Sequence, residues 1–153
     1  MELRRLNIVL FIFTLSVIVH GSNQQLTSEL DTLINEIYSI RSEQINRAKD
    51  IIEQKKELAK EVGKQAVECT ETEGYKYLQQ IEENNVKYTS DFLEQLDGYK
   101  KALENGEDEK VKKALEETLK PNFESILTNL QAEGESITLA YVSKANQCRG
   151  LDH

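Results

Sequence analysis

The chain has 153 residues, 27 acidic and 19 basic side chains, a formal net charge of −8 and two cysteines. That length sets a single domain with room for one substantial core. An acidic surface is repelled by nucleic-acid phosphate and by anionic lipid headgroups, which argues against nucleic acid and against electrostatic membrane docking.

The chain begins Met-Glu-Leu-Arg-Arg and continues with Leu6–Val19, a run of 14 residues without a charge. A basic start, an apolar centre of about 7–15 residues and small residues at the cut make a secretory signal. Val19 and Gly21 provide the small residues ahead of Ser22. A membrane-spanning helix needs about 20 apolar residues, and this run is too short. The expectation is a cleaved leader over 1–21, a single domain over 22–153, secretion, and no stable membrane anchor after cleavage. The leader holds Glu2, Arg4 and Arg5, a net +1, so the remainder carries −9 of the chain's −8 total. That charge leaves a basic partner or a neutral ligand open.

Ser22–Leu26 is short and polar and reads as loose. Ser28 followed by Asp31 resembles a capping box, in which a side-chain oxygen satisfies a free backbone N–H at a helix start. Apolar residues then recur at Leu30, Leu33, Ile37, Ile40, Ala48, Ile51, Leu58, Val62 and Ala66, in steps that keep one helical face apolar. The other face is charged from Glu43 to Glu61 and reads as solvated. Gly63 is its weak point, costing about 1 kcal/mol against Ala, and the pattern is read through it to Cys69. A break is expected at Thr70–Gly74, where Thr70 and Glu73 repeat the capping pattern and Gly74 permits a turn.

The next stripe is Leu78, Ile81, Asn85, Tyr88, Phe92, Leu96, Tyr99 and Leu103, every step 3 or 4. Asn85 is its one polar member, and a buried Asn fixes helix register at a cost in stability; the functional alternative is a polar contact in a ligand cavity. Asn105-Gly106 marks a turn. The acidic cluster around it lacks the spacing of an EF-hand loop and suits a helix N-terminus. A short helix carries Val111, Leu115 and Leu119 inward. Pro121 then imposes a kink or a new start, since proline lacks an N–H but is welcome in a first helical turn. The last stripe is Phe123, Ile126, Leu127, Leu130, Ile137, Tyr141, Ala145 and Cys148, with Gly134 as a soft spot.

In an oxidising compartment two cysteines in a small chain are usually bonded. Three long helices running up, down and up would bring Cys69 and Cys148 to the same end. The predicted fold is all-α: an antiparallel bundle of three long helices plus a short or kinked helix before Pro121, tied by a Cys69–Cys148 disulfide, with a bridge between two chains or free thiols as the rival readings.

Catalytic chemistry finds little to stand on. Beyond the leader the only histidine is His153, so no internal base serves a Ser or Cys nucleophile, and zinc sites need several Cys or His ligands. Neither a phosphate-cradling glycine loop nor a cofactor motif occurs, and the expectation is a non-enzyme without cofactor or metal. Binding remains, to a protein partner or to an apolar small molecule. Tyrosines combine an apolar body with a polar tip. Tyr75 and Tyr77, next to the cysteine end, are candidates for a partner patch. Tyr88, Tyr99 and Tyr141, with Asn85, are candidates for a ligand cavity. An enclosed apolar cavity would favour a carrier, and a tight core with exposed aromatics a partner surface.

With its leader, its acidic helical body over Gln25–Cys148 and the late cysteine of Lys144-Ala145-Asn146-Gln147-Cys148, the chain resembles small secreted insect proteins of the tsetse EP-type midgut domain. The resemblance is architectural. It implies a gut, saliva, venom or reproductive-fluid protein without catalysis, and it carries over no site residue.

Overall fold

The computed structural model describes the backbone of residues 2–151 and the side chains of residues 23–151. The expected leader, 1–21, thus falls outside the described side chains. The elements in order are α1 (Glu2–Lys60), α2 (Lys64–Glu104), α3 (Asp108–Ala114), one π-helical turn (Leu115–Leu119) and α4 (Lys120–Cys148). Among the described residues there is no strand, and no helix is long and apolar enough to cross a membrane.

The helices pack side by side in alternating direction. Leu26, Leu30, Leu33 and Ile37 of α1 lie with Phe92, Leu96 and Leu103 of α2, whereas Ala48, later in α1, lies with Tyr77 and Ile81, earlier in α2. The same reversal holds between α2 and α4, where Phe92 meets Phe123 at 6.1 Å and Tyr77 meets Tyr141 at 4.6 Å between ring centroids. α2 is the central rod, and α1 and α4 touch each other far less than either touches α2. At one end Asn23 Nδ2 donates to the Leu103 carbonyl at 3.3 Å and to Asp108 Oδ1 at 3.4 Å. The partner helices of α1 therefore finish at the level of Asn23. At the other end the Cys69–Cys148 disulfide closes the bundle, with a Cα separation of 5.6 Å.

Several local expectations are corrected. Residues 22–26 continue α1, with Leu26 buried against the core. Ser28 is likewise inside α1, where its carbonyl accepts from the Thr32 hydroxyl at 2.8 Å, so Ser28–Asp31 is no cap. The chain reverses at residues 61–63 and not at Thr70–Gly74. Gly63 has φ +135, a conformation that a residue with a Cβ rarely adopts. Val62 and Gly63 donate back to the Ala59 carbonyl at 3.0 and 3.1 Å, ending α1. Thr70 and Gly74 are buried inside α2. A Cβ on Gly74 would lie 3.0 Å from Ile52 Cγ2, so this glycine serves close helix approach instead of a turn. Cys69 consequently opens α2 instead of closing α1. With the reversal about nine residues earlier than expected, Leu58 and Val62 are exposed, and Ala59 is the buried residue of that turn.

The second reversal falls where Asn105-Gly106 placed it, with Gly106 at φ +79. At Pro121 the helical path continues through the π turn, in which the Lys120 N–H reaches back to the Leu115 carbonyl. A proline ring clashes with the carbonyl four residues earlier in a regular helix. A π turn widens the ladder at that point and relieves the clash.

The apolar interior forms two clusters. One, at the Asn23 end, unites the α1 leucines, Phe92, Leu96, Leu103, Val111, Leu115, Leu119 and Phe123. The other, at the disulfide end, holds Ala48, Tyr77, Ile81, Tyr141 and Ala145. A fully buried leucine contributes about 1.5–3 kcal/mol, so the larger cluster dominates stability. Between them in chain order on α2 stand buried Asn84, Asn85 and Thr89. Exposed ion pairs cross between helices at Asp31–Lys100, Glu29–Lys120, Lys87–Glu133 and Lys56–Glu71. At such exposed positions solvent screening leaves each pair little to add to stability.

Candidate functional site

The structure separates the candidate residues. Tyr75 is 74% exposed, while Tyr77 is 2% exposed and belongs to the disulfide-end core. Two helix positions differ by about 200° of rotation at 3.6 residues per turn, so the two tyrosines point to opposite sides and share no patch. Tyr77 stacks on Tyr141 with ring planes 2° apart, and its hydroxyl shares a 2.9 Å hydrogen bond with that of Thr138.

Tyr141 is also buried, and its hydroxyl has no hydrogen-bond partner. Burial, with Tyr77 and Glu53 nearby, pushes its pKa up to about 12. Tyr88 is half-buried and donates a short hydrogen bond to Glu133. Lys87 bonds the same carboxylate at 2.8 Å and lies 4.7 Å from the Tyr88 ring centroid. The lysine first and the tyrosine second hold the Glu133 carboxyl below its usual pKa, and Glu133 first and Tyr88 second hold Lys87 above its own. Tyr99 packs half-buried against the larger core cluster. Tyr88, Tyr99 and Tyr141 thus face different surroundings.

Asn85 is fully buried, and both its side-chain polar atoms lack partners. Its neighbour Asn84, which the periodicity passed over, is 3% exposed and donates through Nδ2 to the Leu130 carbonyl at 3.2 Å. Asn84 was hidden by sequence because α2 buries two adjoining seams, one toward each neighbour, and a single 3–4 stripe describes only one.

Two openings flank α2. Between α1 and α2, near the disulfide, Ile52, Gly74 and Leu78 floor an open groove of about 460 Å³ with Tyr75 on its edge. Lys49, Glu53, Lys56 and Glu71 ring it. Lys56 bridges Glu53 and Glu71, both at 3.1 Å, and those carboxylates, Glu71 first, raise its pKa. Between α1 and α4 runs a second cleft. Its inner part, about 40 Å³, is lined by Gln44, Arg47, Tyr77, Ile81, Gly134 and Thr138 among others. A neighbouring part of about 270 Å³ shares Gln44, Arg47 and Gln131 and adds Ile40, Glu43 and Leu127. Among the described residues no three His, Cys, Asp or Glu side chains converge as metal ligands would.

The chain matches no protein-family model, no curated protein and no solved structure. The functional reading therefore rests on this geometry and on the sequence alone.

Proposed function

We propose that the chain is a secreted, non-catalytic binding protein that meets a basic protein surface through the groove between α1 and α2. In this reading the leader 1–21 is cleaved, and the remainder forms a bundle of three long helices with the short α3 before Pro121. The architectural resemblance to tsetse EP-type midgut proteins belongs to the same reading, which assigns the protein to gut, saliva, venom or reproductive fluid.

The observation that supports it is Tyr75, left 74% in water beside the apolar floor of Ile52, Gly74 and Leu78. Large aromatics on the edge of an apolar depression are the residues that dominate protein interfaces. Cys69, six residues before Tyr75, is bonded to Cys148, and a rigid end loses little entropy on binding. The net charge of −9 beyond the leader attracts a basic partner and speeds its encounter. A photo-crosslinking residue at position 75, with a control at Asn105, tests the reading in the secretion of the tissue that makes the protein. The expected result is one discrete adduct from position 75 only, suppressed by excess wild-type protein but not by Tyr75→Lys. Identical adducts from both positions overturn it.

A second reading, a carrier of a small apolar ligand, draws support from the α1/α4 cleft. The inner space of about 40 Å³ is far below the roughly 300–1,000 Å³ of a site that engulfs a drug-sized ligand. Any cargo is therefore small and lies in the open part of that cleft.

A further inference from the structure

The two ends of the bundle are held unequally. The cluster at the Asn23 end has twelve buried residues, seven of them leucine, whereas the cluster at the disulfide end has five, two of them alanine. Apolar stabilisation scales with the area removed from water, so the disulfide end gains far less from packing. Among the described residues, the buried side-chain polar atoms without a partner lie on Gln44, Thr70, Asn84, Asn85, Tyr141 and Arg149. None of these residues belongs to the larger cluster. Each such atom is stripped of water by folding without gaining a hydrogen bond, which makes the region around it easier to open.

A polar layer separates the two ends. Asn84, Asn85 and Thr89 lie on α2 between Ile81 of one cluster and Phe92 of the other. Gln44 of α1 and Gly134 of α4 stand at the same level, since a Cβ on Gly134 would lie 3.6 Å from Gln44 Nε2 and 3.8 Å from Asn84 Nδ2. A glycine inside a helix also weakens it at that point. Beyond Gly134, α4 is an end of the bundle, whereas α1 and α2 are joined through residues 61–63. Its last turns are held by the Tyr77–Tyr141 stack, the Tyr77–Thr138 hydrogen bond, buried Ala145 and the bond from Cys148 to Cys69. That bond is within reach of solvent, because Cys69 is exposed and Cys148 is half-buried. Exposed disulfides are the labile and regulatory ones.

We infer that the Cys69–Cys148 bond is a redox latch. When a dithiol reductant opens it, the part of α4 beyond Gly134 leaves α1 and α2, while the leucine-rich end stays folded. In the exchange a reductant thiolate attacks Cys69 Sγ, the S–S bond breaks, and its electron pair departs on Cys148 Sγ, which takes a proton from water. The second thiol of the reductant, losing its proton, then displaces the Cys69 thiolate from the mixed disulfide, and that thiolate is protonated in turn. The protein gains two electrons and two protons, and the reductant ends as its own disulfide. Opening uncovers Tyr77 and Ile81 of α2 and Ala48 of α1, which are buried while the latch is closed. The inference goes beyond the partner reading and does not depend on it, because the groove beside Tyr75 is lined by α1 and α2 without α4.

Hydrogen exchange of the full secreted chain, oxidised and after reduction with dithiothreitol, tests the inference residue by residue. Amides of residues 136–146 should exchange at least about tenfold faster on reduction. Those of residues 30–37 and 96–103, and of residues 123–130 within the same α4, should change by less than about threefold. The Cys69→Ser, Cys148→Ser double variant should exchange like the reduced chain without any reductant, and reoxidation of the wild type should restore slow exchange. The comparison of reduced with oxidised wild type decides the matter if the double variant folds poorly. Equal acceleration in both clusters would make the bundle one cooperative unit and overturns the inference. So does unchanged exchange over residues 136–146, or a bond that dithiothreitol fails to reduce in the folded chain. Crosslinking at position 75 is read on the oxidised chain, so failure of the latch and failure of the partner reading are separately visible.

Discussion

Tyr77 and Tyr141 stack face to face across the α2–α4 contact at 4.6 Å, yet only the Tyr77 hydroxyl finds a partner, in Thr138. The Tyr141 hydroxyl is buried and unpaired, and its pKa is raised to about 12. An ordinary tyrosine in the unfolded chain ionises near pH 10. The folded state therefore keeps its proton where the unfolded state loses it, and stability falls as pH rises from about 10 to 12. Below pH 10 this contribution is fully present. Tyr141→Phe removes the ionisation and an unsatisfied oxygen while keeping the stack. Its expected stability at pH 7 equals or exceeds that of wild type. Chemical denaturation at stepped pH should show the variant losing less stability than wild type between about pH 10 and 12. Parallel loss in both proteins would show that Tyr141 does not govern this range.

Gly74 and Gly98 lie in the same helix but should respond oppositely to alanine. A Cβ at Gly74 meets Ile52 Cγ2 at 3.0 Å and Cγ1 at 3.2 Å, whereas nothing lies within 4 Å of one at Gly98. Gly98→Ala is expected to stabilise by about 0.5–1 kcal/mol through helix propensity. Gly74→Ala has the same propensity gain opposed by displacement of Ile52, with about 1–3 kcal/mol expected from overpacking. Urea midpoints of the two variants at constant m-value give the comparison. Equal stabilisation of both would show that α1 and α2 separate at Ile52 without cost.

Asn85 is fully buried, and neither polar atom of its side chain has a partner. Asn85→Leu removes an unsatisfied donor and acceptor, and the expected gain is about 1–3 kcal/mol. If Asn85 fixes register, the gain comes with a less uniquely packed bundle. Thermal unfolding measures the first effect and the dispersion of methyl NMR signals the second. A loss of stability would mean that Asn85 is satisfied in solution by a group such as water.

The Cys69–Cys148 bond spans a separation of 79 residues, for which the chain-entropy account gives about 4–5 kcal/mol and measured bonds typically about 2–4. The Cys69→Ser, Cys148→Ser double variant should lose stability of that order. Protein expressed in eukaryotic cells and recovered from the medium should have the mass of residues 22–153 less two hydrogens. It should take up thiol reagent under denaturing conditions only after reduction. A mass that includes residues 1–21 would refute the cleaved leader.

Much of the helical class was legible because it depends on local periodicity. The stripes from Leu30 to Ile40 and from Ile81 to Leu103, Tyr88 excepted, and the last stripe through Phe123, Leu130, Tyr141 and Ala145, name residues that are buried or packed on the core. The reversal at Asn105-Gly106 was legible because that dipeptide is a turn signal in its own right. The first reversal was misplaced because a glycine reads alike whether it supplies a positive φ, as Gly63 does, or a close approach, as Gly74 does. Ser28 and Thr70 failed as caps because a hydroxyl is equally content to bond back within a helix or to be buried by a neighbouring one.

Sequence by itself determined that the chain would be helical, since periodicity acts within one helix, and it named the two cysteines that tie α2 to α4 because the chain has no others. Only the tertiary structure decided which side of α2 each tyrosine occupies, that Asn84 joins Asn85 in the interior, and that a cleft opens between α1 and α4. Those outcomes depend on how α1 and α4 seat against α2, and a single stripe carries no information about a second seam on the same helix.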